Sequence, residues 1–306
     1  MQKIGLIIDE GADLPKEIIE KYQIAVVPIK MDWPDIENLP GENTFQKMRE
    51  AEKRGIKSFG KTSQPSPKDF LEVFKKQLER FEKILTITIT SVHSGTYNSA
   101  CQARNFLESE AKKRVFIIDS LNGSGGQGLL VLKALDLIHP VRNIISNGVQ
   151  KGEKLIEEII KELESFRPKI HLAGLLKDPK WLEASGRISH FLANWIRRMQ
   201  KIGLRPMLGI KNGKTKAVGI RRGAKDIPTV LFQELKEKTE KLLSQGKKIK
   251  VAITHGDNLE GAQKLKEMIE RELKNTEVAF INLIDNVIGV LVGPDAIVLA
   301  WSPLEI

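Results

Sequence analysis

The sequence predicts an α/β protein of two domains, on three observations. Strand-like apolar runs alternate with helical patterns through the first half, as a parallel sheet covered on both faces requires. The second half changes character: an Asn212-Gly213 hairpin signal is followed by further strands and helices, as in a mixed α+β domain. The chain has 306 residues, ample for two cores.

Residues 4–9 (IGLIID) read as the first strand, and Asp13, Leu14 and Pro15 open a helix through Lys21. Residues 24–30 (IAVVPIK) read as a second strand. A polar segment leads to KTSQPSP at 61–67, where Ser66 and Pro67 supply the N-cap and first residue of the helix PKDFLEVFKKQLERF. ILTITIT (84–90) is a third strand, and SGTYNSACQARNFLES (94–109) is the helix after it. VFIID (115–119) is a fourth strand, followed by GSGGQG (123–128) and the helix LLVLKALDLI. A charged helix from Lys151 to Ser165 ends near Arg167-Pro168, which places the domain boundary between 166 and 167. The expected domains are therefore 1–166, a parallel-sheet α/β unit, and 167–306, a mixed α+β unit. In the latter, MLGIKNGKTKAVGI (207–220) reads as a hairpin. KIKVAITHGDN leads from a strand to a helix, and EVAFINLID and AIVLAW are further strands.

Composition narrows the function. Hydrophobic residues make up 41% and charged residues 29%, an ordinary globular mixture. MQKIGLIIDEG runs straight into a strand, so no leader is expected. The most apolar stretch, 278–301, is broken by Asp285, Asn286, Pro294 and Asp295, so no membrane helix is expected either. The single cysteine, Cys101, excludes an intrachain disulfide and a multi-cysteine zinc site. The default location is cytoplasmic. The net charge of +10 is dispersed in Lys/Glu alternation, as in KGEKLIEEIIKELES, which marks solvated helix faces. Aromatic residues are 6% and do not interleave with basic runs, so a nucleic-acid partner is not expected. Contact with an anionic membrane surface is expected to be transient at most.

Two loops carry the chemistry. SVHSGTYNSA (91–100) lies between a strand and a helix, at the carboxyl edge of a parallel sheet. Ligands bind there, and helix N-termini turn free N–H groups outward. Ser94, Thr96 and Ser91 add hydroxyls, a setting that suits a carboxylate or phosphate. Ser94 also reads simply as a helix cap, and for an isolated motif that reading leads. KTSQPSP shifts the balance, because Thr62 and Ser63 form a second hydroxyl-rich loop ahead of a helix cap. His93 beside Ser94 leaves open a hydrolase or phosphatase reading, although no orienting carboxylate is evident.

GSGGQG matches G-x-G-x-x-G, yet Ser120, Leu121 and Asn122 separate it from the strand, and no acid-ended strand follows its helix. It also lacks the Gly-Lys-Ser/Thr of a P-loop. No nucleotide cofactor is expected. His93, His139, His171, His190 and His255 show no metal spacing, so no metal is expected. Arg187 in SGRIS and Arg221 and Arg222 in RRGAK suit bidentate contact with an anion.

In this order the segments IIDEGADLP, IAVVPIK, KTSQPSP, ITSVHSGTYNSA, VFIIDS, SGRIS, RRG and IGVLVGPDA resemble the DegV family of fatty-acid-binding proteins. The resemblance spans almost the whole chain; KTSQPSP and SGTYNSA are its specific motifs. It implies a long-chain fatty acid between two α/β domains. It also implies a carrier role without catalysis, presenting the carboxyl group to a separate fatty acid kinase. By motif, Thr62 and Ser94 would hold the carboxyl group, Ser63, Gly95 and Thr96 would be ligand-binding neighbours, and Arg187 and Arg222 would lie near the head group or the kinase-docking surface. Two departures stand out. Glu10 replaces the family's serine after Asp9. Leu291 and Asp295 stand at the first and last positions of the family's His-Thr-Gly-Pro-Gly, and Asp295 would repel a carboxylate if it faced the site.

Overall fold

The computed structural model describes residues 2–139, 155–222 and 226–304. In chain order the first half holds β1 (Gln2–Asp9), α1 (Lys16–Lys21), β2 (Ala25–Val27), β3 (Lys30–Asp32), α2 (Pro34–Glu37), α3 (Thr44–Lys53), β4 (Lys61–Ser63), α4 (Pro67–Leu78), β5 (Phe81–Thr88), α5 (Thr96–Asn105), α6 (Ser109–Lys113), β6 (Val115–Asp119) and α7 (Gly125–Ile138). There follow α8 (Ile156–Phe166), β7 (His171–Leu175), α9 (Lys180–Ala184), α10 (His190–Lys201), β8 (Leu204–Lys211), β9 (Lys214–Arg222), α11 (Ile227–Ser244), β10 (Lys248–His255), α12 (Leu259–Glu272), β11 (Thr276–Leu283), α13 (Asn286–Val292) and β12 (Ile297–Leu304). Lys151 to Lys154 of the expected charged helix, and residues 223–225 of RRGAK, lie outside the described residues.

Two sheets organise the molecule. The first has the order β2-β1-β5-β6 and is wholly parallel. The second has the order β11-β10-β12-β7-β8-β9, parallel only between β10 and β11. The parallel and mixed characters expected of the two halves are thus both present.

Period-2 alternation explains the layering. Ile7 and Ile84 face Phe70 and Phe74 of α4 and Ala100 and Ala103 of α5. Their neighbours Leu6, Ile8, Leu85 and Ile87 face Leu129, Leu130 and Val131 of α7. Both faces of the parallel sheet are therefore dry, as continuous apolar strands require. The same cluster takes in Ala252, Phe280 and Ala300 of the second sheet, so α7 is a layer shared by the two sheets. Leu231, Leu235, Leu265 and Ile269 of α11 and α12 cover the far side of the second sheet.

The glycine-rich segment serves this packing. A side chain at Gly125 would stand 3.2 Å from the Ala252 Cβ, and one at Gly128 would stand 2.9 Å from Phe280. GSGGQG lets α7 lie close on the second sheet.

IAVVPIK is not one strand. Pro28 has no N–H to donate, and the ribbon breaks there. Ala25–Val27 joins β1, while Lys30–Asp32 turns away to pair with β4. The Ile29 N–H donates instead to the Glu10 carboxylate at 2.7 Å. At Asn212-Gly213 the backbone has φ of 51° and 78°, as a type I′ hairpin turn needs.

Candidate functional site

A cavity enclosing ≈ 200 Å³ opens where the carboxyl edge of the first sheet meets the second. Its polar end is built by the loop after β5, the β4 loop and Arg187. Thr62, Ser63, Gln64, Thr90, His93, Ser94 and Gly95 gather there. Its apolar walls come from Leu172, Leu208 and Val298 of the second sheet and from Ile288, Leu291 and Val292 of α13. This is the place a parallel sheet keeps for ligands.

Thr62 is set by the β3–β4 ribbon, where it pairs with Met31. Its Oγ1 accepts a hydrogen bond from Arg187 Nη2 at 3.2 Å. The hydroxyl proton of Thr62 is thereby left to donate elsewhere. Arg187 also donates from Nη1 to the Ser185 carbonyl at 2.7 Å. Among the described residues it has no carboxylate partner, and burial alone pulls its pKa below the usual arginine value. Among the described residues, Arg187 is the one charged side chain of the cavity lining, with no Asp or Glu beside it there.

Ser94 sits at the entrance to α5, and its Oγ accepts from the Thr96 N–H at 3.3 Å. The N-cap position itself is held by Gly95, not Ser94, so Ser94 stands one residue before the cap and lines the cavity. Gly95 is held without a side chain by close approach, since a Cβ there would stand 2.6 Å from Gln64 Nε2. Gln64, which packs over the first turn of α5, is a site residue that motif reading passes over.

Thr96 is fully buried and does not line the cavity. Its Oγ1 lies 2.8 Å from Ser94 Oγ, so it supports Ser94 from behind. Arg222 also stands outside the head-group region. It is exposed at the end of β9, opposite Leu204. The turn end of that hairpin touches the site, and eight residues of extended strand carry Arg222 roughly 26 Å away. Arg221 is tied to Glu234 and Glu237.

His93 and Ser94 share the cavity but no hydrogen bond joins them. His93 Nε2 accepts from the Thr215 backbone N–H at 2.9 Å, which occupies the nitrogen a serine would need. The nucleophile–base pair of the hydrolase reading is not formed. Burial, and next to it the positive charge of Arg187, pull the His93 pKa below the usual imidazole value and favour the neutral ring.

Leu291 lines the apolar wall. Asp295 does not face the cavity. Its carboxylate is taken by Arg49 Nη2 at 2.7 Å and Lys177 Nζ at 2.9 Å. The feared repulsion has no basis in the geometry.

A second literal nucleotide motif escapes a reading confined to GSGGQG: residues 55–62, GIKSFGKT, match G-x-x-x-x-G-K-[ST]. The fold denies it a phosphate cradle. Gly55 ends the turn after α3, Lys61 and Thr62 lie in the extended β4, and the next helix starts only at Pro67. A P-loop instead runs from a strand directly into a helix. Among the described residues no group of three or more His, Cys, Asp or Glu is placed to hold a metal ion, and no helix is long and apolar enough to cross a membrane.

Fold and site together define an α/β protein built on two main sheets, with an apolar cavity headed by hydroxyls and an arginine that has no carboxylate partner among the described residues. The family model described as "Uncharacterised protein, DegV family" matches residues 3–304, and the chain belongs to that family. It is 33% identical over 235 residues to a DegV domain-containing protein of Clostridium perfringens, covering 76% of this chain and 77% of that one. It is 29% identical over 313 residues to a fatty acid-binding protein of Thermotoga maritima, covering 99% of each. A crystal structure of a DegV lipid-binding protein from Thermotoga maritima superposes with a TM-score of 0.71 at 28% identity, again covering 99% of each chain.

Proposed function

We propose that this chain binds a long-chain fatty acid between units formed by residues 1–166 and 167–306. The acyl tail fills the cavity, and the carboxylate meets Thr62, Ser63, Ser94, Gly95 and Arg187. The observation that carries this reading is Arg187: a half-buried guanidinium with no acidic partner among the described residues, at the head of an apolar cavity. A buried cation without a counter-charge is costly, and an anionic ligand removes that cost. The walls supply the rest, since each buried CH₂ contributes about 0.8 kcal/mol. Relatives named as fatty acid-binding and lipid-binding proteins support the choice of ligand.

The chain acts as a carrier without catalysis of its own. Its carboxyl group is offered to a separate fatty acid kinase, as the family resemblance implies. The unformed Ser94–His93 pair and the uncradled GIKSFGKT segment both favour a partner that brings ATP.

Thermal unfolding with hexadecanoic acid tests the binding. The melting temperature rises with ligand concentration if the acid binds the folded state. A midpoint that does not move at any concentration below the micellar range contradicts it. For the kinase step, acyl phosphate should form from ATP only when both this chain and a fatty acid kinase are present.

A further inference from the structure

We propose that His93 is a specificity-determining residue of the head-group site, donating from Nδ1–H to the ligand carboxylate, with Thr215 fixing the tautomer that makes it a donor. The proposal rests on the fatty-acid reading above and deepens it.

A backbone N–H can only donate, so the Nε2 that accepts from Thr215 N at 2.9 Å carries no proton. The Thr215 hydroxyl lies 3.0 Å from the same nitrogen and donates to it as well. In the neutral ring the proton must then sit on Nδ1. Protonating Nε2 would set an N–H against the Thr215 N–H. Burial and the positive charge of Arg187 also oppose the imidazolium. The ring is thus a neutral donor of defined tautomer.

Nδ1 has no protein partner among the described residues, although His93 is half-buried in the cavity lining. Among the described residues, His93 is also the one imidazole in that lining. The ring cannot drift, because the loop it belongs to is held to the hairpin twice. Besides the His93–Thr215 bond, Thr90 Oγ1 donates to the Gly213 carbonyl at 3.1 Å. Arg187 and His93 then present donors of two kinds: a charged fork that suits any anion, and a fixed neutral N–H. An acceptor such as a carboxylate oxygen satisfies Nδ1–H; an apolar chain end does not.

The experiment measures dissociation constants for hexadecanoic acid and hexadecan-1-ol with the wild type, His93→Leu and His93→Gln. His93→Leu should weaken the acid by about tenfold and the alcohol by much less, since hydrogen bonds to charged groups are the stronger ones. His93→Gln, which can accept from Thr215 and still donate, should recover part of the loss. Nitrogen-15 spectra of the ligand-free wild type should show the proton on Nδ1, with that signal shifting when the acid is added. Equal losses for acid and alcohol overturn the proposal, as does a ring protonated on Nε2. A His93→Leu variant that binds the acid as the wild type does overturns this inference alone. A wild type that binds neither probe overturns the carrier reading itself.

Discussion

Among single residues, Arg187 is the one on which the proposed head-group chemistry turns. It holds Thr62 Oγ1 and the Ser185 carbonyl, and no ion pair depends on it among the described residues. Arg187→Met should therefore leave the fold intact by circular dichroism. It should weaken fatty-acid binding by roughly tenfold to a hundredfold, the value of a charged hydrogen bond in a poorly solvated site. Unchanged affinity would mean that the carboxylate lies elsewhere. Thr62, Ser63, Ser94 and Gly95 could be picked out as cavity-lining candidates because two hydroxyl-rich loops precede helix starts, although capping alone would account for either loop taken singly. Arg222 stands away from the head-group end, which leaves the docking-surface alternative for it; that placement depends on hairpin register, which a motif does not carry. The role of His93 depends on Thr215, which stands 122 positions away in the chain, and no local pattern records that contact.

Among the elements, the β8–β9 hairpin matters most to the site. Gly213 has φ 78°, and a Cβ there would stand 2.7 Å from both Thr90 Oγ1 and Val92. Gly213→Val should cost about 1–3 kcal/mol of stability by forcing a β-branched residue into that conformation. It should also weaken ligand binding by displacing the 90–95 loop. Chemical denaturation and a binding isotherm check the two effects, and a variant as stable as the wild type contradicts the account of the turn. The hairpin was readable because Asn-Gly has a local conformational cause. IAVVPIK was not, because the destination of each half of the run is set by partners: β1 for one, β4 for the other. GSGGQG illustrates the same limit. Its spacing from the strand argues against a nucleotide loop, but what its glycines do instead depends on Ala252 and Phe280 across the molecule, which the motif does not record.

The two sheets do not lie side by side as independent bodies at the scale of the whole molecule. Helix α7 serves both cores, and Arg49 of α3 ties the first half to Asp257 and Asp295 of the second. Buried carboxyls collect near this junction. Asp9 accepts from the N–H groups of Gly11 and Ile89 and from Gln127. Burial nevertheless pushes its pKa up to about 7, against an unfolded value near 4. The folded state therefore holds the proton more tightly. This contribution to stability is complete below about pH 4 and is lost as the pH rises to about 7. Denaturation midpoints of the wild type relative to Asp9→Asn should fall across that window, and a level difference contradicts the assignment. The alternation of strands and helices made the two-sheet plan legible, but the interleaving was not, because it arises from contacts between distant segments. The central claim, that the cavity holds an acyl chain by its carboxylate, is tested most directly by the electron density of a crystal grown with hexadecanoic acid. Continuous density is expected along the walls of Leu208, Ile288 and Leu291, ending in a carboxylate within hydrogen-bonding reach of Thr62, Ser94 and Arg187. A cavity without acyl density, or a chain whose carboxylate points away from Arg187, would contradict it.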